Sequence, residues 1–283
     1  MTKLRRGGVA SLLVLAMLLV GADREPARGE PRAASATPAT GTSCRRAAFR
    51  IVVDVGHTVE VPGAESARGV PEYAFNLRLA DEIRQALVDA GFAETVKLVT
   101  ATAPWQGLVE RAARANSMHA DLFISIHHDS VPDFLIKAWE YEGQQRQFND
   151  RFKGYSIFIS DHNADRKGSL EFGGLLGKEL QARGLHYTHH YTLPLMRRYR
   201  HELLDAADGV YRYDQLVVLR DTRMPAVLLE AGSIVNRQEE LELASPERRS
   251  LISAAVVAAA ENFCRLRSHR RGDGPLKHAS GPS

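Results

Sequence analysis

Four side chains able to ligate a metal or carry a proton stand where apolar runs stop. His57 closes the segment IVVDVGH, His127 and His128 close LFISIHH, and Glu230 closes AVLLE. Short runs of branched apolar residues bounded in this way read as buried strands. Three separate strands therefore deliver imidazole, imidazole and carboxylate to one edge of a sheet, and packing gives no reason for that coincidence. Two histidines and a carboxylate make a common open zinc site whose fourth position holds water. The doublet needs a choice, because successive strand residues point to opposite faces. His127 shares a face with Phe123 and Ser125, and His128 with Leu122, Ile124 and Ile126. Only one of the two is expected on a single metal ion.

The elements that position these groups alternate. Phe49 to Val55 predicts a buried strand, followed by a loop rich in Gly, Pro and Ser and a helix from Glu72 to Ala90. Leu79, Ile83, Ala86, Leu87 and Ala90 form the apolar stripe of that helix, and Gly91 stops it. Further strands are expected at Val96–Val99, Asp121–His127, Tyr155–Ile159, Leu216–Leu219 and Ala226–Glu230. Helices are expected at Leu108–His119, Leu170–Arg183 and Pro246–Leu266, the last begun by Ser245 and Pro246 as cap and first-turn residue. Alternation of this kind implies an α/β fold with a mostly parallel central sheet and helices on both faces. In such sheets ligands gather at the carboxyl ends of the strands, which is where the four side chains fall.

The ends of the chain read differently. Lys3, Arg5 and Arg6 precede an apolar run from Val9 to Val20 that exits through Gly21-Ala22, the parts of a secretory signal. The run is short for a bilayer, which needs about 20 apolar residues, so residues 1–22 are expected to be a signal removed on export, with an uncleaved anchor as the alternative. Residues 23–43 lack apolar periodicity and read as a disordered leader, and residues 268–283 as a solvated tail. Residues 44–267 form one domain of a size that supports a full core. The charge balance is +3, from 37 basic and 34 acidic residues, with much of the excess in the two ends. That excludes the concentrated basic face of a nucleic-acid protein. Cys44 and Cys264, the only cysteines, bracket the domain; in an oxidising compartment they could pair, and sequence leaves both the pair and two free thiols open.

Three segments carry a resemblance. IVVDVGHTVEVPGAESARGVPEYAFNLRLA, ADLFISIHHDS and MPAVLLEAGSIVNRQEEL resemble, in the same order, the zinc-dependent N-acetylmuramoyl-L-alanine amidases of bacterial cell-wall turnover, over most of the chain from Phe49 to Leu266. The resemblance implies one zinc ion held by His57, Glu72 and His127, with Glu230 as the catalytic carboxylate. It implies hydrolysis of the amide between N-acetylmuramic acid and the L-alanine of the stem peptide in peptidoglycan. His128, Arg68 and Asn76 are the candidates for holding substrate; for His128 a supporting contact behind the ligands is an equal alternative. The expected setting is the periplasm, as a monomer with no membrane span in the mature form.

The chain also departs from the family pattern. Val55 replaces the proline after the strand aspartate, Thr58 and Val59 replace glycines, and His128 stands where a small residue is usual. The segment 186–212 carries His186, His189, His190 and His201; a cleft-lining loop is the expectation, with a second metal as the alternative. The family can carry an inserted element that blocks the site until an activator protein moves it, and residues 131–153 and 186–212 are the segments that could do so. Two other functions compete with wall hydrolysis. One is a zinc peptidase or deacylase acting on another envelope amide. The other is a non-catalytic wall-binding regulator, against which the full set of ligands and Glu230 argues.

Overall fold

The computed structural model describes residues 44–101 and 104–272. The expected signal, leader and last eleven residues lie outside the described residues. In chain order the regular elements are β1 (Ile51–Val55), α1 (Glu72–Asp89), β2 (Val96–Leu98), α2 (Pro104–Ser117), β3 (Leu122–Asp129), β4 (Lys137–Tyr141) and β5 (Gln144–Phe148). They continue with β6 (Ser156–Ile159), α3 (Arg166–Ala182), β7 (Leu203–Asp205), β8 (Val210–Arg212), α4 (Val217–Arg220), β9 (Ala226–Ser233), α5 (Glu239–Ala244) and α6 (Pro246–Gly272). Seven strands form one sheet in the order β2-β1-β3-β9-β6-β8-β7, and β4 and β5 pair apart from it. The half that bears the chemistry is parallel, β2 with β1, β1 with β3 and β3 with β9. The sheet turns antiparallel where β6 meets β9 and again at the β7 edge.

Strand alternation divides the core into two layers. Val53, Val55, Ile124 and Ile126 face one side, against Leu79, Ile83 and Leu87 of α1, Phe172 and Leu176 of α3 and Ala255, Ala259 and Phe263 of α6. Val52, Phe123, Phe158 and Leu228 face the other, against Ala115 of α2, Val218 and Leu219 of α4 and the aromatic residues Tyr191 and Tyr211. Helices thus cover both faces, as the sequence pattern implies. A disulfide joins Cys44 to Cys264 with Cα atoms 5.3 Å apart, across a separation of 220 residues. Closing so long a loop stabilises the fold by about 5 kcal/mol in the chain-entropy account. Among the described residues no helix is long and apolar enough to cross a membrane.

Several expectations are corrected. Leu216–Leu219 is not a strand: Val217–Arg220 is a single helical turn, stopped where Thr222 Oγ1 donates to the carbonyls of Val218 and Leu219. A four-residue apolar run fits either element, and its place on α2 rather than in the sheet decides. The strand of that region is β8, which pairs with β6. β9 runs on to Ser233, so Glu230 lies within a strand and not at its end. α6 continues to Gly272, so residues 268–272, expected in a solvated tail, are helical.

Candidate metal centre and active-site cleft

The sheet register sets the site. His127 on β3 lies directly beside Glu230 on β9, and both follow the face of Phe123 and Leu228. His57 comes two residues after β1, in the left-handed region with φ of 67°. The buried Arg111 guanidinium holds that turn: it pairs with Asp54 and donates to the carbonyls of Val55 and His57. Asp54 is held in turn by Ser125, whose hydroxyl donates to it at 2.7 Å. Glu72 opens α1 immediately after Pro71, at the positive end of the helix dipole, and its backbone N–H donates to Ala64.

These three side chains converge. His57 Nε2 is 3.0 Å from Glu72 Oε2, and His127 Nδ1 is 3.0 Å from Glu72 Oε1. One ligand atom from each lies within 4.8 Å of the others. The surrounding backbone is shaped to this cluster. A Cβ at Gly56 would stand 2.4 Å from the His127 ring, and one at Gly63 would stand 2.4 Å from Glu72 Oε2 and 2.7 Å from His57. Two imidazoles and a carboxylate in a cradle that glycine alone can line are a fitting donor set for a divalent metal ion.

Glu72 and Glu230 have opposite surroundings. Burial works to raise the Glu72 pKa, but hydrogen bonds from His127 and His57 override it and hold the carboxyl well below the usual range. The Ala64 N–H, the Asn76 amide and the His128 N–H add donors at 3.1, 3.1 and 3.3 Å. Glu230 has no such company: its Oε2 is buried with no partner among the described residues. Burial first, then the charges of Asp129 and Glu72, raise its pKa well above the ordinary value. Asp129 is itself buried, and burial pushes its carboxyl up to about 7, while the Tyr191 hydroxyl, donating to both oxygens at 2.7 and 2.8 Å, pulls the other way. The cluster, Asp129 and Glu230 line one cavity of about 370 Å³, walled on its far side by Met196, Tyr199, His201 and Tyr213.

With that geometry in view, comparison with known proteins is decisive, because the family model described as N-acetylmuramoyl-L-alanine amidase matches residues 51–262. The chain belongs to this family. The amidase AmiC of Neisseria meningitidis serogroup B is 25% identical over 267 residues, covering 90% of this chain and 63% of that protein. The endolysin of Bacillus phage SPP1 is 31% identical over 225 residues, covering 80% of this chain and 69% of the endolysin. The crystal structure of the amidase Ami1 from Mycobacterium smegmatis superposes with a TM-score of 0.58 at 20% identity, over 77% of this chain and 97% of that one. This chain thus spans less than two thirds of the Neisseria protein's length.

Within this amidase fold, the expected ligands His57, Glu72 and His127 come together, and Glu230 shares their cavity. The expected substrate contacts fare differently. Asn76 is fully buried and bonded to Glu72, to the Gly56 carbonyl and to His128, so it is closed to substrate. His128 borders the cleft but is only 2% exposed, with burial lowering its pKa to about 3, and its Nδ1 meets Asn76 at 2.7 Å. Arg68 pairs with Glu240, lies over the rings of Trp139 and Tyr141 and lines a separate groove. The segment 186–212 is a cleft wall, its His190 and His201 packed among Tyr191, Tyr211 and Tyr213. Asp129, Tyr191 and Arg111 were missed. Asp129 carried a signal, an acid just past the histidines on the same strand; Arg111, one arginine on an amphipathic helix, carried none.

Proposed function

We propose that the chain is a zinc-dependent hydrolase that cuts the amide between N-acetylmuramic acid and L-alanine in peptidoglycan. The observation that carries this reading is the donor set of His57, Glu72 and His127 in one cavity with Glu230, whose Oε2 has no partner among the described residues. Bound to those three side chains, a zinc ion supplies Lewis acidity, polarising an amide carbonyl and making water a better proton donor at neutral pH. The protein's own groups supply the rest. Glu230 accepts the proton of the attacking water and then delivers it to the departing nitrogen of L-alanine, which as an amide anion is too poor a leaving group to go unassisted. A carboxyl pushed upward by burial suits that return step, because it holds a proton more readily than an ordinary glutamate. Such help is typically worth about 10²–10⁴-fold in rate. Arg111, through the carbonyls of Val55 and His57, keeps the His57 turn in its strained conformation.

The chain is read as exported and active in the periplasm, with residues 1–22 as the removed signal. The Cys44–Cys264 bridge supports an oxidising compartment. An activator protein is a partner the family implies; the cluster and Glu230 already share an open cavity, which favours an enzyme that needs no blocking element withdrawn. A zinc peptidase on the same scaffold differs only in the bond cut. Digestion of purified peptidoglycan by the mature protein, with products identified by mass, separates the readings. Intact stem peptides beginning with a free L-alanine amine are expected, together with unsubstituted lactyl groups on the glycan. Cleavage between two amino acids of the stem would instead establish the peptidase, and untouched wall with bound zinc would contradict the substrate.

A further inference from the structure

Two buried polar residues, Asn76 and His128, lie behind Glu72 and take no part in the reaction as described. Asn76 follows Glu72 by one helical turn on α1, and residues four apart share a helix face. Its amide nitrogen donates to Glu72 Oε1 at 3.1 Å and to the Gly56 carbonyl at 3.2 Å. Both amide hydrogens are therefore engaged. Asn76 Oδ1 lies 2.7 Å from His128 Nδ1, and since a carbonyl oxygen can only accept, His128 carries its hydrogen on Nδ1. Turned over, Asn76 would set its oxygen against a carboxylate and a carbonyl, and its NH₂ against a ring N–H. Glu72 and the Gly56 carbonyl thus set which way the amide faces, and the His128 ring, beside Phe75 with centroids 5.4 Å apart, takes the tautomer that anchors its oxygen.

The contacts of Glu72 with the rings of His57 and His127 are the ones a metal ion would replace. Three donors to the carboxylate remain: the N–H groups of Ala64 and His128, set by the fold, and the Asn76 amide, the one side chain among them. We propose that Asn76, held at its oxygen by His128, is a positioning residue that aims the Glu72 carboxylate at the metal. The inference rests on reading the cluster as a zinc site, and it adds that metal affinity is set partly by two residues that do not touch the ion. Outer partners of metal ligands commonly contribute about 10–100-fold in affinity.

The test is a Zn²⁺ titration of the metal-free protein against a chromophoric chelator, for wild type, Asn76→Ala, His128→Ala and the double variant. Circular dichroism without metal checks that each is folded. Wild type is expected to bind one ion, Asn76→Ala to bind it about 10–100-fold more weakly, and His128→Ala roughly tenfold more weakly. Because His128 acts through Asn76, the double variant should be no weaker than Asn76→Ala alone, a non-additivity that independent structural damage would not give. Unchanged affinity in a folded Asn76→Ala, or losses that simply add, would overturn the proposal while leaving the zinc site standing. A wild type that binds no zinc would remove the zinc site and the proposal together. Should Asn76→Ala not fold, His128→Ala decides alone: weakened binding supports the proposal and unchanged binding overturns it.

Discussion

The two walls of the cleft treat the same side chain in opposite ways. On the wall built by the 57–71 loop and α1, Glu72 accepts from two rings, one side-chain amide and two backbone N–H groups. On the wall built by β9, Glu230 leaves a buried oxygen with no partner among the described residues. Saturation with donors favours the charged carboxylate that a cation requires, whereas isolation in a buried, acidic neighbourhood favours a carboxyl that keeps a proton. The contrast supports the proposed roles, Glu72 as metal ligand and Glu230 as proton carrier, although neither is visible in residue type.

This contrast can be broken experimentally, and the largest effect is expected at Glu230. Glu230→Gln keeps the shape and removes the proton carrier, so kcat/KM on peptidoglycan should fall about 10²–10⁴-fold. A loss of only a few fold would show that another group moves the proton. A smaller effect is expected from Gly63→Ala, whose φ is 80° and whose Cβ would press on Glu72 and His57. Zinc affinity by chelator competition should drop roughly 10–100-fold, as when other supports of a ligand are disturbed. The smallest and most diagnostic change concerns Asp129, whose charge helps raise the pKa of Glu230. Glu230 must lose its proton to act as base, so activity rises with pH through its pKa. Asp129→Asn removes a repelling charge and lowers that pKa, so the acidic limb of the kcat/KM profile should move to lower pH. A limb that stays fixed, or moves upward, would separate Asp129 from Glu230.

The legible part of the molecule is the parallel half. The runs before His57, His127 and Glu230 are apolar apart from the bonded pair Asp54 and Ser125, because β1, β3 and β9 are covered on both faces, and a strand buried on both sides announces itself. Glu72 was legible only through the family resemblance, since a glutamate opening a helix is ordinary. In the other half β6 and α3 were legible as well, but the remaining strands were hidden for physical reasons. The β4–β5 hairpin, KAWEY and QQRQF, is polar because it pairs away from the main sheet, with Arg68 and Arg237 over its aromatic residues. β7 and β8 are three residues each, too short for any period to show. Asn76 and His128 were identified as residue types near the site, but their direction, inward to Glu72 rather than outward to substrate, depends on burial that sequence does not give.

The contrast between the two glutamates is tested most directly by titrating zinc into Glu72→Gln and Glu230→Gln side by side. The expected result is a crossing: Glu72→Gln loses measurable one-to-one zinc binding, while Glu230→Gln binds zinc within about threefold of wild type, well inside the 10–100-fold losses seen when ligand support fails. Equal loss of zinc in both variants would make Glu230 a ligand and contradict the division of roles.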